Sequence, residues 1–265
     1  MVNRPIVGVA ALILLIAAGG VYYLKHRNVS ITTAPGAPPS SSPSLGEAGI
    51  AHPLPDASAN STSSAPLPDL AGSDLPLRDA LAQLTGADAV KSYLAPEDLI
   101  RRMVVTIDNL PRQKVAVEKR PTMAIGGSFT ANGDELHATL DNENFDRYKP
   151  MVAVIRRLDM QQLAAIYIRF YPLFQQSYQN LGYPTGYFND RLVQVIDDML
   201  ASPEPKGAVQ LVRPNVMYTF ADPTLEARSA GQKLLIRMGP DNEETVKAKL
   251  RELRAAIIAA APKGP

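Results

Sequence analysis

Residues 159–191 read DMQQLAAIYIRFYPLFQQSYQNLGYPTGYFNDR, and they hold eight of the sixteen aromatic residues of the chain, which has ten Tyr and six Phe. Asp159 is a typical N-cap, and large apolar side chains then recur at steps of three and four residues, the spacing of one helix face. The pattern predicts a helix from Asp159 to about Leu181, ended by Gly182. Pro172 lies inside this helix and predicts a kink or break near Ile168.

The loop that follows this helix is the candidate binding surface. Tyrosines on a loop can present a rigid, amphipathic contact surface, or they can pack over the edge of the core. Polar side chains follow the loop at once, and two glutamines lie one helix back. The predicted binding residues are Tyr183, Tyr187, Asn189, Asp190, Arg191 and Gln175. A purely structural role remains the alternative, since aromatic helix stripes usually face the interior.

Helix signals dominate the sequence around this stretch. A first helix is predicted from Asp74, and a single helix is predicted from Asp222-Pro223 to Gly239 by the rule of a cap followed by proline. An Asn-Gly turn signal at 132–133 predicts a small antiparallel hairpin within residues 129–140. Short strands are predicted at 209–212 and 216–220. The fold class is therefore a mostly α, multi-helix globular domain with a small antiparallel β element, over residues 75–262.

The N-terminus carries an apolar run without charge over residues 6–24. A helix of these 19 residues rises about 28 Å, which matches a bilayer core of roughly 30 Å. Arg4 precedes the run and Lys25 follows it. We therefore expect an uncleaved transmembrane anchor over residues 1–27. The alternative is a signal peptide cleaved among the small residues 17–20.

A stretch of different composition connects this anchor to the domain. Residues 28–74 contain eight prolines and many Ser, Ala and Gly residues, without hydrophobic periodicity. Such a composition buries too little apolar surface to offset chain entropy, so a disordered linker is predicted. A short N-terminal tail before the span and a long polar remainder after it are the usual layout of a signal-anchor. We expect a single-pass protein of the bacterial inner membrane with its domain in the periplasm.

Composition limits the chemistry of the chain. The net charge of +1 argues against nucleic acid as a partner, and the absence of cysteine excludes disulfides and thiol catalysis. The three histidines, His26, His52 and His137, lie outside the predicted core, where a catalytic triad or a zinc site would need them. Residues 141–146 have oxygen ligands but lack the turn glycine of a calcium loop, so a solvated helix cap is favoured. The sequence predicts no catalytic residue, metal ion or cofactor.

Several stretches, in this order, resemble the bacterial domain-of-unknown-function family 3014 over about residues 75–255. The stretches are 96–102, 108–112, 171–176, 181–192 and 211–235. The resemblance implies an N-terminal anchor, a variable Pro-rich linker and this domain. It implies no activity, cofactor or catalytic residue.

These observations favour a non-enzymatic binding or scaffolding module of the envelope, with residues 183–191 in its contact surface. Its expected contacts are the membrane, through residues 6–24, and an envelope protein or the cell wall. An alternative is a cell-wall carbohydrate enzyme that uses carboxylates such as Asp190 with Asp197 or Glu226, which would have to lie about 5–10 Å apart across a cleft. A third possibility is a structural partner within a membrane complex that associates through the apolar span itself.

Overall fold

The computed structural model describes residues 49–55, 66–115, 117–134, 137–214 and 217–262. The predicted anchor at 6–24, with the rest of residues 1–48, lies outside the described residues. In the part of the chain that is described, no helix combines the length and the apolar character needed to cross a membrane.

Helices make up most of this part of the chain, which confirms the predicted mostly α class. Ten α-helices are described: α1 Asp74–Thr85, α2 Ala87–Tyr93, α3 Leu99–Asn109, α4 Asn142–Asp146, α5 Lys149–Arg156, α6 Met160–Asn180, α7 Phe188–Leu200, α8 Pro223–Glu226, α9 Ala230–Met238 and α10 Pro240–Ala259. A 3-10 turn, Val117–Lys119, lies between α3 and the first strand.

The long helix α6 lies at the centre of the fold. Its N-cap is Asp159, as predicted, because one oxygen of this carboxylate accepts hydrogen bonds from the main-chain N–H groups of Gln161 (2.9 Å) and Gln162 (3.1 Å). The helix continues through Pro172 to Asn180, so the chain does not break near Ile168. Contacts with α1, α3, α7 and α10 hold α6 on several sides, and this packing offsets the hydrogen bond that proline removes.

The main core is enclosed by these helices. α3 packs on α6 and α7, while α10 packs on α5, α6 and α7. Tyr148, Phe170 and Phe188 are among the largest fully buried side chains. The aromatic stripe of α6 is also interior, since Tyr167, Phe170, Phe174 and Tyr178 are all buried.

A small antiparallel sheet covers one side of the helices. Its strands are β1 Ala131–Gly133, β2 Ala138–Leu140, β3 Gln210–Val212 and β4 Thr219–Phe220, hydrogen-bonded in the order β1-β2-β3-β4. The predicted hairpin and the two predicted strands thus join into one sheet. A second, smaller core lies here, formed by Ala138, Leu140, Leu211, Phe220 and Ile236.

The turn of the hairpin lies beyond the predicted Asn-Gly position. Asn132 pairs with Thr139 and Gly133 with Ala138, so the Asn-Gly pair lies in a strand rather than at the centre of the turn. The connection begins at Asp134, whose side-chain carboxylate accepts the main-chain N–H of His137 at 2.7 Å. This aspartate cap moves the turn beyond the Asn-Gly pair.

The predicted single helix from residue 222 to residue 239 is wrong. It is divided into α8 and α9, and α9 has Ser229 as its own N-cap. The Ser229 hydroxyl accepts the main-chain N–H of Gln232 at 3.2 Å and donates to the carboxylate of Asp198 on α7 at 2.7 Å. The chain therefore starts a new helix where Ser229 is fixed to α7.

Two pieces of the predicted linker contact the domain. Residues 66–73 lead into α1, and Leu67 and Leu70 pack against the main core. Residues 49–55 also lie against the domain, and Leu54 belongs to the main core with only 8% of its surface exposed. These residues of the predicted linker therefore pack against the domain.

Replacing Gly239 with alanine tests the junction between α9 and α10. Gly239 has φ +83°, and an added Cβ would lie 2.5 Å from Cγ of Phe145. We expect Gly239→Ala to lower the free energy of unfolding by about 2–4 kcal/mol, through backbone strain and a core clash together. Urea denaturation measures the loss.

Gly182→Ala is the matched control for this prediction. Gly182 also has positive φ, +116°, but an added Cβ would meet no atom within 4 Å. We expect a loss of about 1 kcal/mol from backbone strain alone. Equal losses in the two variants would contradict the close contact between Gly239 and Phe145.

Candidate functional site

The loop that joins α6 to α7, residues 182–187, is held in place by Gln175. The side-chain amide of Gln175 donates to the main-chain oxygen of Gly186 at 2.7 Å, and its side-chain oxygen accepts the main-chain N–H of Phe188 at 2.8 Å. Phe188 is the first residue of α7. Gln175, predicted as a binding residue, therefore fixes the loop and the start of the helix.

The start of α7 presents Tyr187, Asn189 and Asp190 on one surface, which we call the docking groove. Residues 51–54 of the same chain occupy it. Both carboxylate oxygens of Asp190 take part: Oδ2 accepts the main-chain N–H of Ala51 at 3.0 Å, and Oδ1 accepts the main-chain N–H of His52 at 2.7 Å. One carboxylate thus holds two consecutive peptide groups.

The other two residues of the docking groove also bind main-chain atoms. The side-chain amide of Asn189 donates to the main-chain oxygen of His52 at 2.8 Å. The hydroxyl of Tyr187 accepts the main-chain N–H of Leu54 at 2.8 Å. Four hydrogen bonds therefore hold the segment, and each of them involves its main chain.

The orientation of Asn189 is set from inside the protein. Asn189 is fully buried, and its side-chain oxygen accepts the hydroxyl of Tyr167 at 3.1 Å. Burial raises the pKa of Tyr167 well above its ordinary value, so this hydroxyl keeps its proton and acts as the donor. The amide NH₂ of Asn189 must then face the docking groove.

Tyr187 is positioned by a second tyrosine. The rings of Tyr171 and Tyr187 lie 5.5 Å apart between their centroids. Burial raises the pKa of Tyr171 above its ordinary value, so its hydroxyl keeps its proton. The Tyr171 hydroxyl donates this proton to the side-chain oxygen of Gln175 at 2.8 Å, which connects the groove to the residue that holds the loop.

Arg191 and Tyr183, also predicted as binding residues, contact a buried carboxylate instead. Asp108 at the end of α3 is 3% exposed. Nε of Arg191 donates to Oδ1 of Asp108 at 3.0 Å, and Nη2 donates to the main-chain oxygen of Asp108 at 2.6 Å. The hydroxyl of Tyr183 donates to Oδ2 of Asp108 at 3.2 Å, and Nη2 of Arg112 donates to the same oxygen at 2.7 Å. These contacts tie α3 to the loop and to α7.

Stacking stabilises the same loop. The rings of Tyr178 and Tyr183 lie 4.5 Å apart at an angle of 20°. Burial, followed by the negative charge of Asp108, raises the pKa of Tyr178 to about 12. Tyr183 is thus fixed by a ring on one side and by the carboxylate of Asp108 at its hydroxyl.

Sequence reasoning assigned no role to Asp108, although a signal for it exists. Ile100, Met103, Val104 and Ile107 follow the core-facing spacing i, i+3, i+4, i+7, and Asp108 stands at i+8 of that pattern. An acid on a buried helix face needs a cation or several donors beside it. The position therefore indicated a buried ion pair.

The carboxylates of the alternative enzyme hypothesis have separate partners. Asp197 pairs with Arg254 at 2.6 Å, and Glu226 pairs with Lys233 at 3.0 Å, while Asp190 holds the docked segment. Among the described residues, no group of three or more His, Asp or Glu side chains is arranged to hold a metal ion. No described contact favours carbohydrate hydrolysis at these positions.

A cavity of about 520 Å³ lies between the sheet and the start of α10. Glu243 lines it, and this buried carboxylate pairs with the buried ammonium of Lys247 at 2.9 Å. Lys247 also donates to the main-chain oxygen of Ser202 at 2.7 Å. The pair joins α10 to the chain that follows α7, which is a structural role.

The fold and the docking groove together define a helical domain that holds a short segment of its own chain through main-chain atoms. The chain belongs to the family described as "Protein of unknown function (DUF3014)", which matches residues 99–254. This confirms the resemblance seen in the sequence. The matched region contains the docking groove and Asp108, whereas the docked segment lies before it. Comparisons with curated proteins and with solved structures gave no match.

Replacing Asp108 with asparagine tests the buried ion pair. The substitution keeps the size of the side chain but leaves Arg191, whose side chain is 18% exposed, without its counter-charge. We expect Asp108→Asn to lower the free energy of unfolding by about 3 kcal/mol or more. Chemical denaturation measures it.

Asp98→Asn is the control for Asp108→Asn. Asp98 pairs with Arg101 at 2.8 Å, but both side chains are about half exposed, at 55% and 51%. Such a surface pair contributes less than about 1 kcal/mol. If Asp108→Asn cost no more than Asp98→Asn, the assignment of Asp108 as the link between α3 and α7 would be wrong.

Proposed function

We propose that this domain is a non-enzymatic binding or scaffolding module of the bacterial envelope. Residues 6–24 anchor it in the inner membrane, and the domain faces the periplasm. Its contact surface is the docking groove, and its partner is a polypeptide of the envelope. The support for the location is the apolar run and the layout of the chain around it.

One observation carries the proposed binding function: every hydrogen bond between the docking groove and residues 51–54 involves a main-chain atom of that segment. The geometry therefore fits a short polypeptide segment whatever its polar side chains are, because the bonds are made to main-chain groups that every sequence carries. Two of the bonds are to the carboxylate of Asp190, and bonds to a charged acceptor are about twice as strong as neutral ones.

The side chains of the docking groove are held in place by other parts of the domain, which favours binding. Tyr167 orients the amide of Asn189, and Asp190 lies in the first turn of α7, where the helix dipole stabilises a negative charge. Arg191 fixes that turn to Asp108. A site whose groups already point at the ligand loses less free energy to ordering on binding.

Site-specific photocrosslinking of the full chain in bacterial envelopes tests this proposal. A photoreactive residue replaces Thr185, which is exposed on the loop beside the groove. We expect adducts with an envelope polypeptide. We also expect the chain to stay in the membrane fraction after washing at high salt and alkaline pH. Asp190→Ala should remove these adducts because it removes two of the four hydrogen bonds.

Asp197→Ala is the matched control, since it removes a carboxylate from the same helix two turns further on, where Arg254 is its partner. It should leave the adducts unchanged. Adducts that persist in Asp190→Ala would overturn the proposed role of the groove. A chain that the alkaline wash releases would overturn the proposed anchor.

A further inference from the structure

We infer that residues 51–54 act as an internal competitor for the docking groove, and that the ligand which the groove takes from another polypeptide is a short segment with a leucine between two prolines. The inference rests on the proposed function, because it names the ligand of the same site. Such a ligand displaces the internal segment instead of binding beside it.

The pattern of hydrogen bonds fits prolines at fixed positions. The groove accepts N–H groups from residues 51, 52 and 54, and the residue between the last two, Pro53, has no N–H to offer. Pro53 and Pro55 also restrict the residues before them, His52 and Leu54, to fewer backbone conformations. The free segment therefore has less conformational entropy to lose on docking.

Leucine is the side chain that the site buries. Leu54 is 8% exposed and belongs to the main core, whereas Ile50 is 55% exposed and Ala51 is also exposed. Main-chain bonds give affinity for any segment that can take this shape, and one buried apolar side chain gives selectivity among such segments. A leucine three residues after the first bonded N–H is thus the expected signature of the ligand.

The four residues Pro-Leu-Pro-Asp, which include Leu54, occur twice in the chain, at 53–56 and at 66–69. The second copy has different contacts. Leu67 is partly buried against the main core, and the carboxylate of Asp69 accepts the main-chain N–H of Gly72 at 2.7 Å. Leu67 is therefore a suitable control position. It has the same neighbouring residues in the sequence as Leu54, but it lies outside the docking groove.

An outside segment can make the same bonds only where residues 51 and 52 have left the groove. The amide of Asn189 and both oxygens of Asp190 are directed at these two residues. Emptying the groove would leave the buried amide of Asn189 without its acceptor, which is unfavourable. One segment therefore replaces another.

The internal segment competes strongly because it is tethered. Ten residues, 56–65, separate it from the described chain that leads into α1. A segment on a connection of this length acts at an effective concentration on the order of millimolar. The apparent affinity for an outside ligand falls in proportion to the fraction of grooves that are free.

Binding of a synthetic peptide to the full-length chain in detergent micelles tests the inference. The probe is residues 49–57 with a fluorine label, followed by ¹⁹F NMR. Leu54→Ala in the chain weakens the internal segment, so the peptide should bind this variant on the order of tenfold more tightly than the native chain. His52→Pro is a second variant with the same expected effect, since it removes an N–H that Asp190 accepts and leaves the core untouched.

Three controls accompany the titration. Leu67→Ala, in the second copy of the motif, should leave the affinity of the native chain unchanged. Adding Asp190→Ala to Leu54→Ala should remove binding. A peptide with an N-methyl group on its leucine should not bind, because the N–H that reaches Tyr187 is gone.

The outcomes separate the inference from the proposed function. Tighter binding to Leu54→Ala and His52→Pro than to the native and Leu67→Ala chains supports both. Equal, Asp190-dependent binding to all four chains overturns the internal occupant and leaves the binding module standing. If the peptide does not bind the Leu54→Ala and His52→Pro chains, both the inference and the proposed function are overturned.

Discussion

The buried carboxylate of Asp108 is the contact on which the site depends. A carboxylate that is 3% exposed needs charged and hydrogen-bonding partners, and here they come from separate parts of the chain: Arg112 after α3, Tyr183 on the loop and Arg191 on α7. Because these partners must converge on Asp108, the loop and the first turn of α7 have one arrangement. The positions of Tyr187 and Asp190 follow from it.

Two groups of side chains at this end of the domain have different tasks. Gln175, Tyr183 and Arg191 bind other parts of the domain, and they hold the loop. Asn189 and Asp190, with Tyr187, bind the main chain of residues 51–54. The predicted set of six binding residues therefore contains three that build the groove and three that form it.

Much of the fold could be predicted because helix signals are local. The cap at Asp159, the apolar spacing along α3 and the stop at Gly182 each act within a few residues, and the structure agrees with them. The predicted position of the hairpin turn was wrong because the aspartate at 134, rather than the Asn-Gly pair, caps the turn. The divided helix at 222–239 depends on Ser229 bonding to Asp198, a contact over 31 residues that no local pattern contains.

The docking of residues 49–55 could not be predicted from composition. A prediction of disorder counts the apolar surface that a segment can bury, and this segment buries little apart from Leu54. It is held by main-chain hydrogen bonds, which every sequence can form and which composition does not reveal. The groove that makes these bonds lies more than 130 residues further along the chain.

Amide hydrogen exchange of the full-length chain measures the central contact most directly. The account predicts that the amides of Ala51, His52 and Leu54 exchange slowly in the native chain. In Asp190→Ala they should exchange at the rate of an open chain, and in Asp197→Ala they should remain slow. Exchange of these amides at the open-chain rate in the native protein would contradict it.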